Sequence, residues 1–171
     1  MSEAMTYLAS AALIGAGATA VMDIWAIVRK QLFGIPSLDY ALVGRWLVYL
    51  TRGRFRHAPI GASAPVKGER AIGWTAHYAI GIAFAAVLLA IWGLEWIHHP
   101  TLGPPMIVGI ASVAAPFLVM QPGMGAGIAA SRTPRPNIAR FHSLVTHGVF
   151  GFGLYAAGWA LHLLPGPLTP T

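Results

Sequence analysis

The sequence predicts an all-α integral membrane protein: a bundle of four transmembrane helices with a short interfacial helix in the first cytoplasmic loop. Of its 171 residues, 56% are hydrophobic and only 9% are charged, whereas about 25% of the residues in a soluble domain are charged. Four apolar stretches reach the roughly 20 residues that a helix needs to cross a bilayer. There is no cysteine, which excludes disulfides and thiolate metal sites. A soluble domain and a disordered chain are both excluded by this composition.

The boundaries of the spans follow from charged residues and prolines. The first span stops before Arg29 and Lys30, the third begins behind Pro104 and Pro105, and the fourth ends before Pro165. The four spans are predicted at residues 7–28, 72–94, 106–130 and 144–164. A single membrane domain then occupies residues 1–171, with a cytoplasmic loop at 29–71.

The orientation follows from the cationic residues. Eight of the 11 Lys and Arg residues lie in the loop at 29–71, and the other three lie in the loop that joins the third and fourth spans. The positive-inside rule places both loops in the cytoplasm. Both termini are therefore expected in the periplasm, with the protein in a bacterial inner membrane. The basic excess indicates contact with anionic lipids, and the sequence shows no nucleic-acid-binding module.

The first cytoplasmic loop is expected to hold a short helix on the membrane surface. Ser37 is the predicted N-cap, and Asp39 falls in the first turn, where the helix dipole favours an anion. The apolar residues of 40–50 follow, with Trp46 expected to be buried and Arg45 expected to reach lipid headgroups.

A run of arginines follows this helix. Arg52, Arg54 and Arg56 alternate with other residues directly after it. With Arg45, they are predicted to contact anionic headgroups or, alternatively, a phosphate-bearing ligand.

Two motifs indicate a family. Gly34-Ile35-Pro36-Ser37 and the segment 40–46, followed by 53–57, form one half of its pattern, and 120–127, continuing to 131–134, forms the other. In these motifs the chain resembles a bacterial family of small four-helix inner-membrane proteins classed as a domain of unknown function. The resemblance spans nearly the whole chain. It implies a location and a helix count, and it implies no activity.

Each predicted span carries one polar residue at a similar depth. These are Asp23, His77, Gln121 and His147. At 1.5 Å per helical residue from the nearest cationic residue, Asp23 and the two histidines lie roughly 9–11 Å inside the cytoplasmic edge, and Gln121 roughly 16 Å inside it. Pro122 and Gly123 are expected to unwind the helix at Gln121. Because polar groups are costly in hydrocarbon, these four predict an intramembrane polar site near the cytoplasmic leaflet.

This layer of polar residues is compatible with several functions. The first is transport or a proton-linked function, with Asp23 as the titrating carboxyl, in a homodimer or larger membrane complex. The second is a divalent metal held by Asp23, His77 and His147, or a b-type haem clamped by the two histidines, with a redox or enzymatic role. The third is a hydrogen-bond network that fixes packing in a structural subunit. No catalytic residues are predicted.

Overall fold

The regular structure of the protein is entirely helical. The computed structural model describes residues 2–163, and within that range no strand occurs. The α-helices are α1 (Glu3–Phe33), α2 (Tyr40–Thr51), α3 (Glu69–Trp92), α4 (Glu95–His98), α5 (Gly103–Ala111), α6 (Gln121–Met124) and α7 (Pro136–His162). Short 3-10 turns occur at Ile60–Ala62 and Ile128–Ala130, and a π turn at Pro116–Met120.

Four helical segments are long and apolar enough to cross a membrane. They are Glu3–Phe33, Glu69–Trp92, Gly103–Met124 and Pro136–His162. The predicted all-α fold with four transmembrane helices is confirmed, and the chain has the helices of a membrane protein.

The first helix is longer at both ends than the predicted 7–28. Ser2 caps its start, because the Ser2 hydroxyl accepts a hydrogen bond from the Met5 amide (3.3 Å). At the other end α1 continues through Arg29 and Lys30, whose charges are favourable near a helix C-terminus. It ends at Gly34, which adopts the left-handed conformation (φ 66°) typical of a C-cap.

The later spans also differ from their predicted bounds. The third span was predicted to reach residue 130, but it ends at Met124 because Gly125 turns left-handed (φ 96°). The fourth span starts at Pro136 instead of residue 144, and proline is favoured in the first turn of a helix. Residue 164, its predicted end, lies outside the described residues.

The third span is irregular before it ends. In the π turn at Pro116–Met120, the Gln121 amide donates to the Pro116 carbonyl five residues back. The sequence predicted that the helix unwinds at Pro122 and Gly123, but in the structure the helix ends a few residues later. Gln121–Met124 is still helical, and the chain leaves the helix at Gly125.

The described residues form two compact units, and α3 and α7 contribute to both. The first unit contains 2–36, 78–111 and 146–163, and the second contains 37–77 and 112–145.

Small residues bring the helices of the first unit together. A side chain on Gly15 or Gly81 would overlap α3 or α1 respectively, so these two helices are in close contact along one face of α1. A side chain on Gly153 would meet Ala18 and Val21, so α7 packs on a different face of α1. Small residues at helix contacts are typical of membrane bundles. The buried apolar core includes Ile14 of α1, Leu88 of α3 and Leu154 of α7.

In the second unit, α2 packs against the start of α3. A side chain on Gly44 would overlap the Glu69 carbonyl and the Gly73 amide, and one on Gly73 would overlap the Tyr40 carbonyl. The predicted helix in the first loop is therefore present. Trp46 is buried as predicted.

The predicted N-cap of α2 is wrong. Asp39 caps the helix instead of Ser37: its carboxylate accepts from the Ala41 amide at 3.0 Å.

Candidate functional site

The carboxylate of Asp23 is held in the first unit by a tyrosine. Asp23 lies on the same face of α1 as Gly15 and Thr19, which meet α3. The Tyr78 hydroxyl of α3 donates to Asp23 Oδ2 at 3.0 Å, and both side chains are partly buried. Sequence reasoning identified Asp23 but missed Tyr78. The sequence feature that could have pointed to Tyr78 is its polar hydroxyl, directly after His77 and inside a predicted span.

His77 belongs to an aromatic cluster in the second unit. Its Nε2 lies 2.9 Å from the Tyr40 hydroxyl, and the two rings are stacked with centroids 4.3 Å apart. The Trp74 ring meets His77 edge-on at 5.8 Å. The imidazole therefore contacts side chains from both α2 and α3.

The other two predicted residues lie one in each unit. His147 is in the first unit, where its carbonyl lies close to Gly109 of α5. Gln121 is in the second unit at the start of α6, and its Oε1 is buried without a hydrogen-bond partner in the described part of the chain. The expectation that Asp23, His77 and His147 meet in space stays a prediction.

A metal ion or a haem requires ligand side chains that lie together. Within residues 2–163, no group of three or more His, Asp or Glu side chains could hold a metal ion. For haem, the His77 Nε2 that would bind the iron already faces the Tyr40 hydroxyl. Iron ligation would have to replace that hydrogen bond.

The prediction that Arg45 reaches lipid headgroups is wrong. Arg45 is only 8% exposed and forms a two-pronged ion pair with Glu69, with Nε–Oε2 and Nη2–Oε1 distances of 2.8 Å. Its Nη1 donates to the Ser63 carbonyl at 2.9 Å. The planar guanidinium matches a carboxylate in shape, and the Gly44–α3 contact brings the two groups together. Hydrogen bonding to Glu69 raises the pKa of Arg45.

The remaining arginines of the predicted lipid contact are exposed. The guanidinium groups of Arg52 and Arg54 lie 5.6 and 5.5 Å from the centroid of the Tyr49 ring. Arg56 is exposed, and so is Phe55, at 65%. Contact of this segment with anionic headgroups stays a prediction.

His57 is a buried residue that sequence reasoning treated only as the end of the arginine run. It is 5% exposed, its amide donates to the Gly123 carbonyl (2.9 Å), and its Nδ1 lies 2.8 Å from Ser63 Oγ. Its Nε2 is buried and has no hydrogen-bond partner among the described residues. A side chain on Gly125 would meet the His57 carbonyl. His57 therefore joins the loop after α2 to the glycine-rich segment after α6, two parts of the chain that carry the family motifs.

Comparison with known proteins identifies a family and no nearer relative. Searches of curated proteins and of solved structures give no match. One family profile matches residues 12–161, most of the chain, including both motifs. The chain therefore belongs to the family described as "Protein of unknown function (DUF2938)".

Proposed function

We propose that this protein is a proton-linked transport protein of the bacterial inner membrane, in which Asp23 takes up and releases the proton. The observation that carries the proposal is the Asp23–Tyr78 hydrogen bond (3.0 Å), which joins two helices long enough to span the membrane.

A carboxylate inside an apolar span is costly, and such groups commonly mark proton or ion pathways. The Tyr78 hydroxyl stabilises the ionised carboxylate by one hydrogen bond, but it brings no positive charge. Protonation removes the charge of Asp23 and weakens its attraction for the hydroxyl. The α1–α3 contact thus has two states that differ by one proton, which is the property that a proton-linked transporter requires. An asparagine would serve equally well if the group only fixed packing.

Replacing Asp23 with Asn tests this proposal. The protein is reconstituted into liposomes that enclose a pH-sensitive dye, and a potassium gradient with valinomycin drives proton entry. We expect the wild type to acidify the lumen and the Asp23→Asn variant to do so at least tenfold more slowly, because an amide cannot carry the proton. Tyr78→Phe is expected to slow entry to a smaller degree.

Asp39→Asn is the matched control. It makes the same chemical change outside the spans, and asparagine caps helices as well as aspartate does, so proton entry should equal that of the wild type. Proton entry no faster than in empty liposomes, or unchanged entry in Asp23→Asn, would overturn the proposal.

We further propose that the two basic loops face the cytoplasm and that the termini face the periplasm. The distribution of Lys and Arg supports this orientation, and it brings Arg52, Arg54 and Arg56 to the anionic headgroups of the inner leaflet. Reporter fusions at Ser63 and Thr133 should give a cytoplasmic signal, and fusions at Thr101 and Thr169 a periplasmic one. Thr169 lies outside the described residues. A periplasmic signal at Ser63 would contradict the charge argument.

A further inference from the structure

Two hydrogen-bond donors on one face of α1 have no acceptor among residues 2–163. They are Trp25 Nε1 and Arg29 Nε, and both atoms are buried. Residues four apart lie one above the other on a helix face, so the two donors are one turn apart and on the same side. A buried donor without an acceptor is costly and is rare in folded proteins.

This face of α1 is the one that packs against α7. A side chain on Gly17 would meet Ala157, and Val21 lies close to Gly153, so residues 17 and 21 face α7. Ala18 also lies close to Gly153, and Trp25 and Arg29, seven and eleven residues after it, fall within about 20° of Ala18 around the helix. The side chain of Arg29 contacts α7 directly, because its Nη1 donates to Thr146 Oγ1 of that helix at 3.3 Å.

The Arg29 guanidinium is held in place but not neutralised. Among residues 2–163, its other hydrogen-bond partner is the Pro36 carbonyl, which accepts from Nη2 at 3.4 Å. Within residues 2–163, Arg29 forms no ion pair with a carboxylate. A positive charge, an unused Nε–H and an unused indole N–H therefore point to a ligand that is negatively charged and accepts hydrogen bonds.

We propose that the cytoplasmic end of the α1–α7 contact binds one phosphate group through Trp25 and Arg29. Guanidinium groups suit phosphate because they offer several donors in one plane. Asp23 is six residues from Arg29, which places it about 120° around the helix from that residue, on the side that meets α3. The phosphate site is thus separate from the proton site and does not depend on the proposed transport activity. The phosphate can belong to a phospholipid headgroup or to a soluble anion.

Binding measurements on the delipidated full chain in neutral detergent test the proposal with two probes. Inorganic phosphate is titrated by calorimetry, and phosphatidylglycerol is added before native mass spectrometry. We expect the wild type to bind one equivalent of at least one probe. Binding of inorganic phosphate assigns a soluble anion, and binding of phosphatidylglycerol alone assigns a headgroup.

The variants test the two donors one at a time. Arg29→Gln should weaken binding at least tenfold, and Trp25→Phe, which removes the N–H but keeps an aromatic ring, at least threefold. Lys30→Gln is the control, because it removes the same charge from the exposed neighbouring residue and should bind as the wild type does. Trp25→Phe keeps the guanidinium, so it remains informative if Arg29→Gln fails to fold. No binding of either probe to the wild type, or wild-type binding in Trp25→Phe, would overturn the proposal.

Discussion

A Gly44→Ala substitution is expected to destabilise the protein by about 3 kcal/mol, at the upper end of the range for overpacking. The added methyl group would overlap the Glu69 carbonyl and the Gly73 amide. These are backbone atoms of a helix and cannot turn aside as a flexible side chain does. α2 would have to move away from α3. The change is measured as the unfolding free energy in detergent, followed by circular dichroism.

Gly61→Ala is the matched control for this substitution. Apart from Gly61 and its two chain neighbours, no heavy atom of the described residues lies within 4 Å of a methyl group at this position, and the φ of Gly61 is not positive. The effect should therefore stay within about 0.5 kcal/mol. Gly73→Ala should resemble Gly44→Ala, because it would overlap the Tyr40 carbonyl from the other side of the same contact. Equal stability of Gly44→Ala and Gly61→Ala would contradict the close approach of α2 and α3.

The second large effect is expected at the ion pair of Arg45 and Glu69. Arg45→Met leaves the Glu69 carboxylate with the Val66 amide as its remaining hydrogen-bond donor (2.8 Å), and Glu69→Leu leaves the guanidinium with only carbonyl partners. Breaking one side of a poorly exposed pair costs more than replacing both sides with apolar groups. We therefore expect each single variant to unfold several degrees below the wild type. The double variant should unfold above both single variants.

Thermal unfolding of the four proteins in one detergent measures this cycle. Arg52→Met serves as the control, because it removes an arginine of the same loop that is exposed, lies over Tyr49 and forms no ion pair within residues 2–163. Its unfolding temperature should match that of the wild type. If the two single effects simply add in the double variant, the pair is not coupled.

The outline of the fold was accessible from the sequence because hydropathy and charge act locally. Long apolar runs can only be satisfied as membrane-spanning helices. The apolar residues of 40–50 predicted α2, although the predicted N-cap, Ser37, put its start two residues too early. The ends of the helices were less accessible. Hydropathy continues to about residue 130, but the third span ends where Gly125 adopts a positive φ, and composition does not report backbone conformation.

The partners of polar residues were the least predictable feature. Arg45 was assigned to headgroups because its partner, Glu69, is 24 residues away, and the pair forms only where two glycines let α2 and α3 meet. Asp23 was recognised from the cost of burying a carboxylate, whereas Tyr78 reads as one more aromatic residue in a membrane segment. Polarity thus located the candidate site, and side-chain pairing required the structure.

The π turn at Pro116–Met120 has a consequence for how the third span tolerates changes in chain length. A hydrogen bond between residues five apart encloses one residue more than the α-helical bond between residues four apart. Deleting a residue from a regular helix rotates everything beyond it by about 100°. A deletion within Pro116–Met120 can instead convert the π turn to α-helical geometry. The side chains of Gln121–Met124 then keep the direction in which they point. This segment is thus a place in the third span where homologous chains can differ by one residue without turning its C-terminal end.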